Sequence, residues 1–342
     1  MSGEAEGLDL GALERYFRDR VPAFEGRLTA ELLQGGRSNL TYRLTDGRNQ
    51  WVLRRPPLGG LTPSAHDMLR EYRVVAALSG TGFPVAEAVT TGGADVLGVP
   101  FAVVEYVQGN VIRTLDQLHA LPGPEITRCA YGLVDVLARL HAIDPERVGL
   151  GDFGRPAGYL ERQVRRWYDQ WQRVRTRELG DIDGLHARLA ELCPAESGAS
   201  IVHGDYRIDN VILDPADTAT VRAVVDWEMA TLGDPLADLA LHLVYSDPAF
   251  APVLAGSAAS TSPRLPRAAD LAERYAKTSG RDLGDLQFYL ALGYFKIAVI
   301  AEGIHARYQR GETLGSGFET VGGAVAPLAA AGLHALNHPG LT

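Results

Sequence analysis

Cysteine is nearly absent: Cys129 and Cys193 are the only two in 342 residues. Two are too few for a disulfide framework, and Cys129 falls in an apolar helical stretch where a small buried thiol is expected, so a reducing compartment is indicated. Positive charge is also in deficit, with 33 Lys and Arg against 42 Asp and Glu and a net charge of −9. A chain without a basic footprint is not built as a general nucleic-acid binder. The N-terminal stretch MSGEAEGLDLGALERYF carries acids and no long apolar core, so it reads neither as a signal peptide nor as an anchor. A cytoplasmic location is expected. The long apolar stretch 285–306 is interrupted by Lys296 and reads as too short for a membrane span. With 46% hydrophobic and 22% charged residues, the composition is that of a soluble globular protein with room for two domains and a sizeable core.

Against that background one stretch is rich in chemistry. Residues 201–228 read as a short strand (Ile201, Val202), a polar loop opening with His203-Gly204-Asp205, a second apolar run Val211–Leu213 just after Asn210, a turn at 214–217, and a β-branched run that delivers Asp226 at its carboxyl end. Asp205 and Asn210 bracket one loop, and Asp226 ends a strand where ligands are usually met. Phosphoryl transfer from ATP needs such a set: an acid that takes the proton of the attacking hydroxyl, and hard oxygen ligands for the Mg²⁺ that accompanies the nucleotide. Asp205 suits the first role as catalytic base, and Asn210 and Asp226 suit the second. Taken singly, each of these residues is more often a turn or a cap than a site; the ordered combination carries the argument. A metal hydrolase would want a second histidine at ligand spacing, which the segment lacks.

The order H-G-D-x-x-x-x-N followed by D-W-E (Asp226-Trp227-Glu228) resembles the aminoglycoside phosphotransferase and choline kinase-like family rather than the protein kinases. The stretch 53–71, with Pro56-Pro57 and the run 62–66, is similar to a subgroup that also occurs as the kinase-like domain fused to certain acyl-CoA dehydrogenases. The resemblance implies an α+β fold of the bilobal protein-kinase-like type, with a small antiparallel-sheet N-terminal lobe (1–107) that binds nucleotide and a larger, mainly helical lobe (108–342) that carries catalysis and substrate. It also implies ATP and Mg²⁺ as cofactors and a hydroxyl on a small molecule as acceptor. A nucleotide-binding protein that no longer catalyses is the rival from another class.

Several upstream residues take roles from this resemblance. A hairpin between 28–33 and 40–44 has the tip Gln34-Gly35-Gly36-Arg37-Ser38-Asn39; it does not spell G-x-G-x-x-G, and which of Gly36, Arg37, Ser38 or Asn39 touches nucleotide is open. In the strand 50–55, Trp51-Val52-Leu53-Arg54 stands where V-A-I-K is usual, making Arg54 the phosphate-gripping cation and Glu71, from the helix expected over 64–79, its partner. Arg55 points to the opposite face. The last strand of the small lobe, 101–107, ends in Val104-Glu105-Tyr106-Val107-Gln108-Gly109, which reads as the interlobe hinge; in such folds the hinge backbone recognises adenine, so the side chains of Glu105 and Val107 need not be the readers.

Downstream, a helix over 125–143 supports the large lobe, with His141 as a core contact at its end. The segment 158–176 concentrates Arg162, Arg165, Arg166, Arg173 and Arg175 around Trp167 and Trp171. Guanidinium groups hold phosphates, and beside tryptophan rings they suggest an anionic acceptor such as a hydroxyacyl thioester over a polycationic aminoglycoside. Asp234 reads as a helix cap with Pro235 at the first helical position, and the family resemblance implies an acid near here that ties the catalytic loop, a role open to Asp238. The Ala/Ser/Pro-rich 251–266 reads as a flexible connection or lid, and helices over 285–306 and 322–336 close the lobe.

Overall fold

The structure, a computed structural model, describes residues 7–33, 39–57, 67–254, 256–313 and 317–338. Gly36, Arg37 and Ser38 lie outside the described residues. The chain forms two compact units: residues 1–108 with 222–230, and residues 109–221 with 231–342. The return of 222–230 to the first unit is a feature that a single division near residue 107 does not contain.

In the first unit, helix α1 (Leu10–Arg20) starts where the Asp9 carboxylate accepts the N–H of Ala12 at 2.9 Å and satisfies an otherwise orphaned donor. Leu13 and Phe17, one turn apart, form its buried face. Phe17 meets Trp51 edge-on at 5.3 Å and Phe24 at 5.6 Å, and each such fully buried side chain contributes about 1.5–3 kcal/mol. Strands β1 (Thr29–Leu32), β2 (Leu40–Thr45) and β3 (Gln50–Arg55) come next. Helix α2 (Met68–Leu78) begins at the Asp67 cap and is succeeded by β4 (Ala88–Gly92), the one-turn helix α3 (Ala94–Leu97) and β5 (Phe101–Glu105). The five strands make one antiparallel sheet in the order β1-β2-β3-β5-β4. Between β4 and β5, α3 is stopped by Gly98 at φ +74°.

Strand β3 alternates: Trp51, Leu53 and Arg55 are buried on one side and Val52 and Arg54 lie on the other. This alternation gives the two adjacent arginines different surroundings. Segment 222–230 joins the first unit through the Val224 N–H, which donates to Pro84 O at 2.8 Å, and through buried Trp227, edge-on to Phe83 at 6.1 Å.

The second unit is mainly helical: α4 (Leu115–His119), α5 (Gly123–His141), α6 (Tyr159–Val174) and α7 (Gly180–Glu191). Then come β6 (Ser200–Val202), β7 (Val211–Leu213), β8 (Val221–Val224, most of which belongs to the first unit) and β9 (Thr231–Gly233). The chain ends with α8 (Pro235–Val244), α9 (Ala268–Ser279), α10 (Leu286–Gln309) and α11 (Val325–Asn337). β6 and β9 pair antiparallel, with Ile201 opposite Leu232.

Helix α10 packs on α6, α8 and α11. At 24 residues it is long and apolar enough to cross a bilayer, longer than its sequence suggested, and 67% of its most apolar window is buried within the protein. That burial, with Glu302 fully enclosed, is the pattern of a core helix. The segment 251–266 is not a loose connection among its described residues. It contains two 3-10 turns, Pro248–Leu254 and Ala259–Thr261, and residues 259–262 are buried. The Ala259 N–H donates to Arg113 O at 3.0 Å, and Ser262 Oγ meets His119 Nε2 at 2.8 Å.

Candidate active site

In the second unit the buried strand β6 delivers His203-Gly204-Asp205 into a loop whose backbone is pinned from below. Gly204 adopts φ +80°, a left-handed conformation that glycine takes without steric cost. The Asp238 carboxylate, buried in α8, accepts the N–H of His203 at 2.7 Å and of Gly204 at 2.8 Å, and lies 3.2 Å from His141 Nε2. The other nitrogen of His141 meets Tyr275 Oη at 2.7 Å. Burial alone would raise the Asp238 carboxyl, but the bonds and charges of His141 and His203 outweigh it and hold it below its ordinary value. Asp238 thus ties the loop, a role the family resemblance left open to it, and Asp234 caps α8 through the N–H of Leu236 at 2.9 Å.

Asp205 is held on both oxygens. Oδ1 accepts the Tyr245 hydroxyl at 2.5 Å and lies 3.4 Å from Arg207 Nε; Oδ2 accepts Asn210 Nδ2 at 3.0 Å. Asn210, in a 3-10 turn before β7, also donates Nδ2 to the Asp205 carbonyl at 2.8 Å. Because both bonds use the amide nitrogen, the Asn210 carbonyl oxygen is left for another partner, which fits a hard cation. Arg207 continues to Asp209, 3.0 Å away, and its guanidinium sits 5.3 Å from the Tyr245 ring centre.

Tyr245, Arg207 and Lys296 are residues that sequence reasoning missed. For Tyr245 a signal existed. Asp238, His242 and Tyr245 are spaced i, i+4, i+7 along an otherwise apolar α8, one face of a helix. Each meets the loop in turn, at His203 and Gly204, at the Tyr206 carbonyl (3.1 Å) and at Asp205.

In the first unit Arg54, on the less buried side of β3, donates Nη1 to Glu71 Oε1 at 2.5 Å and Nη2 to Asp226 Oδ1 at 3.0 Å. Glu71 lies on the apolar stripe of α2 with Met68, Val74, Val75 and Leu78, so burial pushes its carboxyl up even though the Arg54 charge pulls it down. Arg54 loses some affinity for its proton to burial, yet Glu71 and Asp226 more than compensate and raise it. Asp226 has φ +66° and ψ +60°, and among the described residues it is the sole non-glycine with positive φ. Such a conformation costs about 1–3 kcal/mol and clusters at functional sites. Arg55 faces the other way and donates to the carbonyls of Gly7 and Pro56. Asn39 is buried with both amide atoms unpartnered among the described residues. Glu105, paired in register with Trp51, has an exposed side chain, and Val107 makes no backbone hydrogen bond among the described residues.

Of the two tryptophans of α6, Trp167 lines the arginine cavity and Trp171 is not among its lining residues. Trp171 is fully buried and Trp167 nearly so, because with Leu160 and Val164 they form the inward stripe of the helix. The arginines do line a cavity of about 650 Å³ between α6 and α10, with Arg162, Arg165, Arg166, Arg173 and Arg307 on its walls and Asp169 as its single acid. Arg175 ends the helix and is not among the lining residues.

A small antiparallel sheet carrying an Arg–Glu pair, and a helical unit carrying a pinned H-G-D loop, define a protein of the kinase-like fold. Within it, the chain belongs to the phosphotransferase enzyme family, whose sequence profile matches residues 29–272. A Ralstonia eutropha protein assigned to the aminoglycoside phosphotransferases is 33% identical, with a TM-score of 0.82 over 96% of this chain and 98% of that one. A thermostable mutant of aminoglycoside phosphotransferase APH(4)-Ia, solved with AMP-PNP and hygromycin B, shares the fold at 17% identity, with a TM-score of 0.60 over 94% and 98% of the two chains. Acyl-CoA dehydrogenase family member 11 of Rattus norvegicus is 35% identical over 95% of this chain, which spans only 43% of that relative's length.

Proposed function

We propose that the protein transfers the γ-phosphoryl group of ATP to a hydroxyl of a small anionic metabolite. The observation that carries this is Asp205: a carboxylate bonded on both oxygens, by Tyr245 and Asn210, with Arg207 beside it, on a loop fixed by Asp238. Such a group is oriented to receive a proton. As the acceptor oxygen bonds to the γ-phosphorus and the bond to the β-phosphate oxygen breaks, the hydroxyl proton passes to Asp205 and ADP departs. Arg54, oriented by Glu71, offsets phosphate charge; Asn39 and the Val107 backbone have hydrogen-bonding capacity left for nucleotide. Glu105 remains a candidate, and Gly36, Arg37 and Ser38 remain candidates on the sequence alone.

As the sequence order suggests, Asn210 in the second unit, with its side-chain oxygen free, and Asp226 in the first, whose Oδ2 carries no hydrogen bond among the described residues, are each candidate magnesium ligands. When bound, the ion would neutralise charge on the transferring phosphate.

The arginine-lined cavity supports an anionic acceptor, because five guanidinium groups repel a polycation and pair with phosphates or carboxylates. A hydroxyacyl thioester of coenzyme A meets these requirements, and the relationship to acyl-CoA dehydrogenase family members is compatible with it. The test is Mg-ATP turnover over hydroxyacyl-CoAs, free hydroxy acids and aminoglycosides. ADP release with the anionic compounds is expected. Efficient release with kanamycin-like polycations alone would reverse the acceptor assignment, and nucleotide binding without release under any condition would make the protein a binder without turnover.

A further inference from the structure

Lys296 is one of two lysines in the chain, the other being Lys277, exposed in the last turn of α9. Lys296 projects from α10, half-buried, between the enclosed residues Phe295 and Ile297. Its ammonium donates to the Gly204 carbonyl at 2.8 Å and lies 5.7 Å from the ring centre of Trp167. No carboxylate forms an ion pair with it among the described residues. An ammonium has three N–H bonds, and one is used here. Leaving a cation in such surroundings without a counter-ion is costly unless something else completes its shell.

The neighbourhood shows what that could be. Val299, Ile300, Gly303 and Arg307 line the arginine-rich cavity, and they lie three, four, seven and eleven residues beyond Lys296, one continuous face of α10. Trp167, on which Lys296 rests, lines the same cavity. The face that walls the cavity therefore runs on through Lys296 to the peptide between Gly204 and Asp205.

We propose that Lys296 is a second anchor for the acceptor: its two remaining N–H bonds hold a carbonyl or carboxylate oxygen lying between the acceptor's anionic end, seated among the arginines, and the hydroxyl presented to Asp205. The inference rests on the assignment of the cavity to the acceptor made above. It makes the spacing between anion and hydroxyl the property selected. A lysine suits the place because its charge is compact and it makes single, releasable bonds, whereas guanidinium would demand a planar two-oxygen partner. Burial holds the Lys296 amine below the ordinary lysine value, against the opposing charges of Asp205 and Asp238, with Arg166 acting in the same direction as burial.

The scarcity of lysine makes a direct test possible on the full chain without turnover. Pyridoxal 5′-phosphate carries a phosphate for the arginines and an aldehyde that condenses with an amine, losing water, to an imine that borohydride fixes. Mapped by mass spectrometry, Lys296 is expected to be labelled about tenfold faster than Lys277. Inorganic pyrophosphate, or the double replacement R165E/R166E, is expected to slow labelling of Lys296 about tenfold while Lys277 is unaffected. Equal labelling of the two lysines, or labelling of Lys296 indifferent to both interventions, overturns the proposal. Failure of every acceptor to release ADP would count against phosphotransfer alone, whereas an unlabelled Lys296 in an active enzyme would count against the anchor alone.

Discussion

Asp238 and Asp226 are both acids placed next to basic partners, and the two units treat them in opposite ways. Asp238 is buried and surrounded by donors: two backbone N–H groups and an imidazole, which in turn reaches a tyrosine hydroxyl. Asp226 is about a third exposed, sits in a left-handed backbone conformation and keeps one hydrogen bond, to Arg54. In its unit the polar groups are incompletely matched: the Nε of its partner Arg54 and, elsewhere in the unit, the Asn39 amide are buried without partners among the described residues. Buried polar groups are matched in the great majority of cases. The saturated network therefore reads as one that fixes a loop, and the unsaturated one as a surface completed by a ligand.

The largest expected effect lies on the loop that the saturated network holds. Asp205→Asn should lower turnover by roughly 10² to 10⁴ while nucleotide binding, measured by calorimetry, is nearly unchanged. Next is the network itself. Asp238→Ala strands the N–H groups of His203 and Gly204 and should cost about 3–5 kcal/mol in urea unfolding at neutral pH. Since the Asp238 carboxyl is held low in the folded protein, its contribution is full above the unfolded value near 4 and fades as pH falls below it, so wild type and variant should converge in acid.

For the unsaturated side, Arg54→Ala should weaken ATP binding by about 10- to 100-fold through lost charge-assisted bonds. Glu71→Gln should reproduce part of that loss. Arg55→Ala should lower the melting temperature and spare ATP affinity, because Arg55 serves the carbonyls of Gly7 and Pro56; a reversed order of the two arginines would break the comparison. The smallest effect concerns strain. Asp226→Gly should be more stable than Asp226→Ala by about 1 kcal/mol, since glycine alone takes positive φ without steric cost, while both should lose metal-dependent nucleotide binding.

Legibility in the sequence depended on what fixes spacing. The loop 203–210 and the strand to Asp226 were readable because the chemistry requires particular side chains at set intervals, and strand alternation correctly separated Arg54 from Arg55. The partnership of Arg54 with Glu71 was inferred from family resemblance, and the 2.5 Å contact now displays it. Composition misled at 251–266, where small polar residues look like a mobile loop; their side chains and backbone instead find partners in Arg113 and His119 and become buried. Tryptophans among arginines looked like a ligand platform, although a spacing of four with Leu160 and Val164 before them is also an inward stripe; packing buries both on that stripe and leaves Trp167 on the cavity wall. Lys296 escaped because its interest depends on what lies opposite it, Gly204 and Trp167, far away in the chain.

The return of residues 222–230 to the first unit has a consequence for synthesis. Strands β1 to β5 leave the ribosome long before the segment that supplies Asp226 to Arg54 and Trp227 to Phe83. At roughly 5–20 residues per second, the gap between residues 108 and 222 lasts on the order of ten seconds. During that interval the newborn sheet must carry Phe83 uncovered and the Arg54–Glu71 pair without its third member. Slowing translation within the intervening stretch should therefore lengthen the window in which a chaperone captures the nascent chain, and ribosome-bound fragments ending before Val221 should be more protease-sensitive than those extending past Ala230.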